Sequence, residues 1–354
     1  MVQDLGSVPA FASYPSANHT IYLDFNGHTT TGTAWNTTKW GSEIYTPAYN
    51  TDGSGSVFSV GEQIAIREIF NSVAEDFAPF AVNVTTIEPP IEDLKKTTIQ
   101  DTRWGVRVAI GGTYLDWYGI GNSGTAFTSS FNSQDDMPAF VFAETLSYQT
   151  QWIAETISHE VGHTLGLSHD GGPGTSYYLG HGVGATGWAS IMGGSYYKPV
   201  TQWDKGEFPG ATNVQDDLAI ITGNNGFGYR PDDYVAPFML AGDLTAAGVI
   251  ERNTDVDVFA WMPSYGDKPG SKLIQQRIVI DPAQFIANLD IKARLYNAAG
   301  VLLYESAPLD QLNIDFTITL RVGQVYYLHV EGDGSANYSD YGSLGYYKLG
   351  ISRP

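Results

Sequence analysis

Cysteine is absent from the 354 residues. No disulfide, no thiolate nucleophile and no cysteine-ligated metal can therefore take part in how this chain folds or works. Cationic residues are scarce as well, 18 Lys and Arg against 38 Asp and Glu, for a formal charge of −20. A surface of that sign repels nucleic-acid phosphates and anionic lipid headgroups, so no nucleic acid is expected among its partners. No run comes near the roughly 20 apolar residues that span a bilayer, so no membrane insertion is expected. The opening Met1-Val2-Gln3-Asp4-Leu5-Gly6-Ser7 has neither the basic nor the apolar region of a signal peptide. What is present is a chain 42% hydrophobic and 16% charged, apolar enough for packed cores and long enough for two domains. Its 40 Gly and 22 Tyr, with so few Lys and Arg, fit a secreted protein whose signal peptide has been removed.

The first 18 residues or so are polar and aperiodic and read as an extended lead-in. Ile21 to Phe25 alternates as a strand should, and a Gly/Thr/Asn-rich loop follows to about Ser59. Ser59 and Glu62 have the spacing of a capping box; the helix they open carries Ile66, Ile69, Phe70, Val73 and Phe77 on one face and stops at Pro79. Strands are predicted over 81–87, 106–111, 125–131 and 139–142, then a second helix over 151–165. That order predicts a mixed sheet with helices packed on it. A short helix is predicted near 214–222, and Asn224 to Asp233 reads as a linker. Beyond it the period is two: Leu289, Ile291, Ala293 and Leu295 alternate with polar residues, as do Ile314, Phe316, Ile318 and Leu320. With four more such segments, and Asn297-Ala298-Ala299-Gly300 as a hairpin turn, the tail predicts a sandwich of about seven strands. The expected fold is an α+β domain over 1–230 followed by an all-β antiparallel sandwich over 231–354.

The stretch that carries chemistry is His159-Glu160-Val161-Gly162-His163-Thr164-Leu165-Gly166-Leu167-Ser168-His169-Asp170. Two histidines four apart on a helix face one way, the spacing at which two imidazoles bind one zinc ion. At about 100° per residue they fall away from the apolar stripe of Ile153, Ile157, Val161 and Leu165, where two satisfied core histidines would instead lie. Gly166 can take φ > 0 and end the helix, turning the chain so that His169 reaches the same ion. Three imidazoles leave one zinc position open for a water whose pKa falls to about 7, and Glu160 is placed to take its proton and pass it to a leaving amine.

This segment resembles the metzincin signature H-E-x-x-H-x-x-G-x-x-H-D, and the order of elements before it resembles the metzincin N-terminal subdomain. The resemblance covers about residues 19 to 222. It implies one catalytic Zn²⁺ held by His159, His163 and His169, with Glu160 as general base and acid, and a methionine turn beneath the metal, for which Ala189-Ser190-Ile191-Met192-Gly193-Gly194 fits and supplies Met192. Asp170 resembles the adamalysin carboxylate that supports the chain below the site. Gly194 departs from the astacin and serralysin pattern, in which a tyrosine ligand stands two residues after the methionine. Within metzincins the chain is similar to secreted bacterial peptidases through Tyr22 to Thr29, Val73 to Phe80 and Tyr196 to Trp203. Its tail resembles their pre-peptidase C-terminal domain through Asp255 to Phe259 and Tyr338 to Gly345.

Tyr196 and Tyr197 are close enough in sequence to line the cleft, and ordinary packing suits them equally. His181 either walls the cleft or makes a structural hydrogen bond. His19 and His28 flank the first strand without partner spacing, and His329 falls on the polar face of its strand. Asp135-Asp136, Asp216-Asp217 and Asp232-Asp233 offer carboxylates, but none shows a calcium loop motif, so Ca²⁺ has no motif support and these pairs read as solvated caps. The expected function is a secreted, monomeric zinc endopeptidase acting on protein or peptide substrates, with the strand near 125–131 as the edge along which substrate lies. Two alternatives stand beside it: an adhesin or matrix-binding protein with a vestigial zinc site, and a zinc hydrolase of non-peptide amides.

Overall fold

The computed structural model describes residues 6–36, 39–55, 57–242, 244–264 and 272–354; the first five residues of the lead-in lie outside them. The structure is mostly β, with three α-helices among the described residues. Contacts divide it into two compact units, one of Met1–Leu179, Ser190–Tyr197 and Trp203–Tyr229, the other of Gly180–Ala189, Lys198–Gln202 and Arg230–Pro354.

The first unit contains β1 (His19–Asp24), β2 (His28–Thr31), β3 (Glu43–Thr46), α1 (Val60–Asp76), β4 (Val82–Thr85), β5 (Trp104–Ile110), β6 (Gly124–Thr125), β7 (Ala139–Val141) and α2 (Thr150–Thr164). Its sheet runs β4-β1-β5-β7-β6. β1 is parallel to β4 and β5, β5 is parallel to β7, and β6 closes the order antiparallel to β7. β1 and β5 are buried at every position, which requires cover on both faces. Ala109 and Phe140 point into a cluster with Trp35 and Ile44 from the β2–β3 region, ringed by Trp40, Trp117, Tyr118 and Phe127. On α2 the stripe of Ile153, Ile157, Val161 and Leu165 is buried. The helix packs on α1 and β7.

α1 starts as its sequence predicts. Ser59 Oγ accepts from Glu62 N–H at 3.4 Å, and Glu62 Oε2 accepts from Ser59 N–H at 2.9 Å. The other Glu62 oxygen accepts from Thr51 N–H at 2.6 Å. The strand predicted over 125–131, by contrast, is only two residues long. Ser129 is left-handed at φ 63° and donates its N–H to the His163 carbonyl at 2.9 Å, so the chain leaves the sheet to serve the end of α2 and then forms a 3₁₀ turn over Ser130–Asn132.

After α2 come β8 (Trp188–Ser190) and β9 (Val200–Gln202), which pair with each other, and α3 (Asp217–Asn224), whose N-cap Asp216 accepts from Ala219 N–H at 2.9 Å. The predicted linker is packed through Tyr229. Asn225 donates to the carbonyls of Leu165, Ile220 and Ile221, and Ala81 N–H donates to Gly228.

The second unit carries β10 (Phe238–Met239), β11 (Thr245–Ile250), β12 (Asp257–Trp261), β13 (Leu273–Pro282), β14 (Ile291–Asn297), β15 (Leu302–Ser306), β16 (Ile314–Arg321), β17 (Tyr326–Gly332) and β18 (Gly345–Ser352). They form two sheets, β10-β12-β17-β14-β15 and β11-β18-β13-β16. Trp261 on the first donates its indole N–H to Gln276 on the second at 2.8 Å, and the pair is sandwich-like, with the inner faces supplied by alternating residues such as Ile314, Phe316 and Leu320. The expected all-antiparallel pattern fails at one place, where β10 runs parallel to β12. The turn after β14 forms as predicted, with Gly300 at φ 73° and Asn297 Oδ1 accepting from Ala299 and Val301 N–H. His329 is half-buried against Tyr296, 4.6 Å between ring centres, rather than turned to solvent. Two stretches from before residue 230 pack in this unit, Gln202 donating to the Asn288 carbonyl at 2.6 Å and Asn337 to that of Thr186 at 2.8 Å.

Ser59→Ala is expected to lower stability by about 1 kcal/mol, and Glu62→Ala by more, because it also strands Thr51 N–H. Urea unfolding of the full chain measures both; equal losses would show that the Thr51 bond adds nothing.

Candidate metal centre

α2 delivers His159 and His163 one turn apart, and the chain reverses after Leu165 because Gly166 takes φ 106°. Gly166 N–H donates to His163 and Leu167 N–H to Gly162, the last carbonyls of the helix. His169 then returns, and the ligand-type nitrogens of His159, His163 and His169 all lie within 4.8 Å of one another. His163 Nε2 and His169 Nε2 are 2.9 Å apart.

The other ring nitrogens define the tautomers. His159 Nδ1 is 2.9 Å from the Ile191 carbonyl oxygen and His163 Nδ1 is 2.8 Å from that of Leu167. A carbonyl only accepts, so both rings donate from Nδ1 and keep a lone pair on Nε2. Burial, and then the neighbouring His163, pushes His159 down to about 3 and His169 down to about 4; burial also lowers His163. All three are therefore neutral, the form that binds metal. Three imidazole nitrogens with no thiolate make a donor set that fits zinc.

Glu160 is buried beside them, and burial pushes its carboxyl up to about 8. β6 passes so close that a Cβ at Gly124 would lie 2.8 Å from Glu160 Cγ and Oε1. Only glycine lets the edge strand approach in this way. Met192 is fully buried under α2, where a Cβ at Gly162 would overlap its Sδ and come within 3.3 Å of Trp203. Asp170 is not directed at the histidines. Its carboxylate accepts from Ser190 Oγ and from Asn213 Nδ2, and its N–H donates to the Met192 carbonyl at 2.8 Å; burial raises its acid to about 6.

Tyr196 lies half-buried with its hydroxyl 2.6 Å from Ser123 Oγ and 2.9 Å from Thr156 Oγ1. Thr156 already donates to the Trp152 carbonyl, so it accepts from Tyr196, and Ser123 donates to Tyr196 in turn. Tyr197 is exposed, its ring 5.5 Å from Trp152. His181 belongs to the second unit, in a bridge with Trp188 whose indole is 5.5 Å away; the first unit does not gather it. Sequence reasoning missed Tyr177, whose ring centre is 4.4 Å from His169 and 6.0 Å from His159. Nothing in a glycine-rich stretch of a tyrosine-rich chain marks it. Gly124 and Gly162 were also missed, although a glycine between two helical histidines is a signal that something packs closely there.

No family model matches this chain, and no curated protein matches it. Among solved structures it is similar to the pre-peptidase C-terminal domain of a collagenase from Bacillus anthracis, at 14% identity and a TM-score of 0.25, over 35% of this chain and 98% of that one. It is also similar to PliG, a periplasmic lysozyme inhibitor of g-type lysozyme from Salmonella Typhimurium, at 18% identity and a TM-score of 0.20, over 33% of this chain and 96% of that one. Among the described residues no helix is long and apolar enough to cross a membrane.

Gly162→Ala is expected to cost about 1–3 kcal/mol by overpacking, and less than half as much in a Met192→Ala background. A double-mutant cycle by urea unfolding reads the coupling; additive losses would contradict direct packing of Met192 on Gly162.

Proposed function

We propose that the first unit is a metzincin-type zinc endopeptidase, secreted and monomeric, and that the second is an accessory domain of the pre-peptidase C-terminal kind. One observation carries the reading: His159 and His163 have their Nδ1 atoms committed to carbonyls, so their free Nε2 atoms converge with His169 beside a buried Glu160. A purely structural metal site has no use for a carboxylate there. The burial of Met192 beneath Gly162 adds to it.

His159, His163 and His169 would hold the zinc, which when bound supplies Lewis acidity toward a scissile carbonyl and toward water. Glu160 takes the proton of the attacking water on its carboxylate and passes it to the amine nitrogen as the C–N bond breaks. Burial favours the protonated form of Glu160, which makes the first of these transfers, uptake of the water proton, easier. β6 is the last strand in the order of its sheet, so an extended peptide can add along its open edge by main-chain hydrogen bonds. The contact of Gly124 with Glu160 brings such a peptide alongside the carboxylate. Tyr196, bonded to both Ser123 and Thr156, holds the segment that leads into β6 against α2.

The full chain is expected to contain one zinc per molecule by elemental analysis, and His169→Ala to lose it on dialysis. Glu160→Gln should keep fold and zinc while peptide-library cleavage falls by about 10²–10⁴-fold. Comparable cleavage by Glu160→Gln would refute the mechanism. A zinc-loaded wild type that cleaves no peptide would favour the alternatives, of which a screen of non-peptide amides selects the hydrolase and its failure the binding protein.

A further inference from the structure

Between His169 and Met192 the chain makes a glycine-rich excursion and then returns to the histidines at Tyr177. The return is fixed by its neighbour Tyr178, whose N–H donates to the Asp170 carbonyl at 2.7 Å and whose carbonyl accepts from Gly194 N–H at 2.8 Å. The Tyr178 ring stacks on Phe208, 4.1 Å between centres. A Cβ at Gly193 would lie 2.5 Å from that same Tyr178 carbonyl oxygen, and one at Gly194 would lie 2.7 Å from Leu179 Cδ2 and 3.8 Å from Tyr177 Cβ. Two glycines after Met192 thus leave the space in which this stretch lies. Tyr177 is held between the residue after His169 and the turn that carries Met192.

Its ring centre lies 4.4 Å from that of His169 and 6.0 Å from that of His159, yet the residue is 40% exposed. Among the described residues its hydroxyl has no hydrogen-bond partner. Tyrosines with a structural task in this chain are treated otherwise: Tyr338 donates to Asp290, Tyr347 to Asp257, and Tyr196 is bonded to Ser123 and Thr156. Burial raises the Tyr177 phenol, and beyond burial the charges that bear on it are those of Glu160, Tyr196 and Tyr118. All three touch β6 or the residue before it. Glu160 lies under Gly124, Tyr196 bonds Ser123, and the Tyr118 hydroxyl accepts from Thr125 Oγ1 at 3.2 Å. The phenol therefore stands over the cleft between β6 and the three histidines, with its hydroxyl uncommitted.

We infer that Tyr177 is a catalytic residue, its hydroxyl donating a hydrogen bond to the oxygen of the scissile carbonyl as that oxygen gains charge; this rests on the peptidase reading above. When water adds, its oxygen bonds to the carbonyl carbon, the C=O π pair moves onto the carbonyl oxygen, and the water proton goes to Glu160. Tyr177 keeps its own proton throughout. Its hydrogen bond strengthens with the charge on the oxygen, so it stabilises the tetrahedral adduct more than the bound substrate. When the C–N bond breaks, the pair returns to C=O and the proton passes from Glu160 to the amine nitrogen. Tyr196 is poorly suited to this task, since its proton is committed to Thr156. Packing against His169 is the plainer role for Tyr177, and a phenylalanine would fill it equally well. Only the hydroxyl separates the two.

The test compares the full chain with its Tyr177→Phe variant, which keeps the ring and removes the hydroxyl. The variant is expected to melt with the wild type when both are metal-free and to retain zinc on dialysis as the wild type does. On the peptide best cleaved in a library, its kcat is expected to fall about 10²-fold with KM changed less than about twofold. A phosphinic analogue of that peptide, tetrahedral at phosphorus with an anionic oxygen where the adduct carries one, should lose affinity by the same factor in isothermal titration. The intact peptide, bound to Glu160→Gln, should bind equally well when Tyr177→Phe is added. Unchanged kcat and unchanged phosphinate affinity overturn the role. So does a loss confined to KM, which makes Tyr177 a wall of the cleft, or a loss of zinc, which makes it a support for His169. A wild type that cleaves no peptide overturns the peptidase reading and this role with it, whereas a cleaving wild type matched by Tyr177→Phe overturns this role alone.

Discussion

Two main-chain carbonyls govern the chemistry of the first unit. An imidazole presents a metal-binding lone pair from Nε2 only if its proton is on Nδ1, and the carbonyls of Ile191 and Leu167 hold it there. Each carbonyl is itself positioned by the backbone around it. Leu167 follows Gly166, whose left-handed conformation lets the chain double back beneath α2. Ile191 precedes Met192, which is pinned against Gly162. The Met192 carbonyl in turn accepts from Asp170 N–H, next to His169. One short turn therefore orients His159 through a hydrogen bond and fastens the segment that carries His169. A side chain buried for its volume ends up deciding a protonation state.

How this protein treats buried acids sharpens what its acid clusters mean. In the first unit buried Asp24 and half-buried Asp136 meet Arg107, at 2.5 Å and 3.0 Å, with Tyr22 against the guanidinium. That is the structural solution, a carboxylate met by a fixed planar cation. Asp170 is met by a hydroxyl and an amide, a milder solution that burial still opposes. Glu251 is met by neither, and its carboxylate lies within reach of the Asp255 carboxylate.

The parts of this structure that could be read in the sequence are those set by local spacing. The capping box at Ser59, the Asn297-to-Gly300 turn and the period-two strands depend on residues within a few positions of each other, and the i, i+4 histidines with the glycine that follows obey the same rule. What could not be read was set by partners far along the chain. β2 and β3 lie in a loop-like stretch because the apolar residue that seats them, Ile44, is packed by Trp35, Ala109 and Phe140. β6 stops after two residues because Ser129 serves the carbonyl of His163 instead of a ladder. Asn224 to Tyr229 has the composition of a linker, yet Asn225 is buried holding three carbonyls. Composition describes what a residue can do, and here tertiary partners used it.

The same reasoning explains why the histidine cluster and the acid cluster differ so much in visibility. Three histidines within 11 residues are joined by one helix and one turn, so local geometry alone nearly assembles them. Asp232, Glu251, Asp255 and Asp257 are spread over 26 residues with β10 and β11 between, and β10 pairing with β12 brings their segments together. Asp232-Asp233 taken alone has the look of a solvated turn, because Asp232 does accept from Tyr234 N–H as such turns do. Its nearness to Asp255 and Asp257 is seen only in the folded chain. A constellation held by one helix announces itself by spacing, whereas one held by a sheet is seen only once the register is known. The three histidines belong to the first kind in this chain, and the acids of the second unit to the second kind.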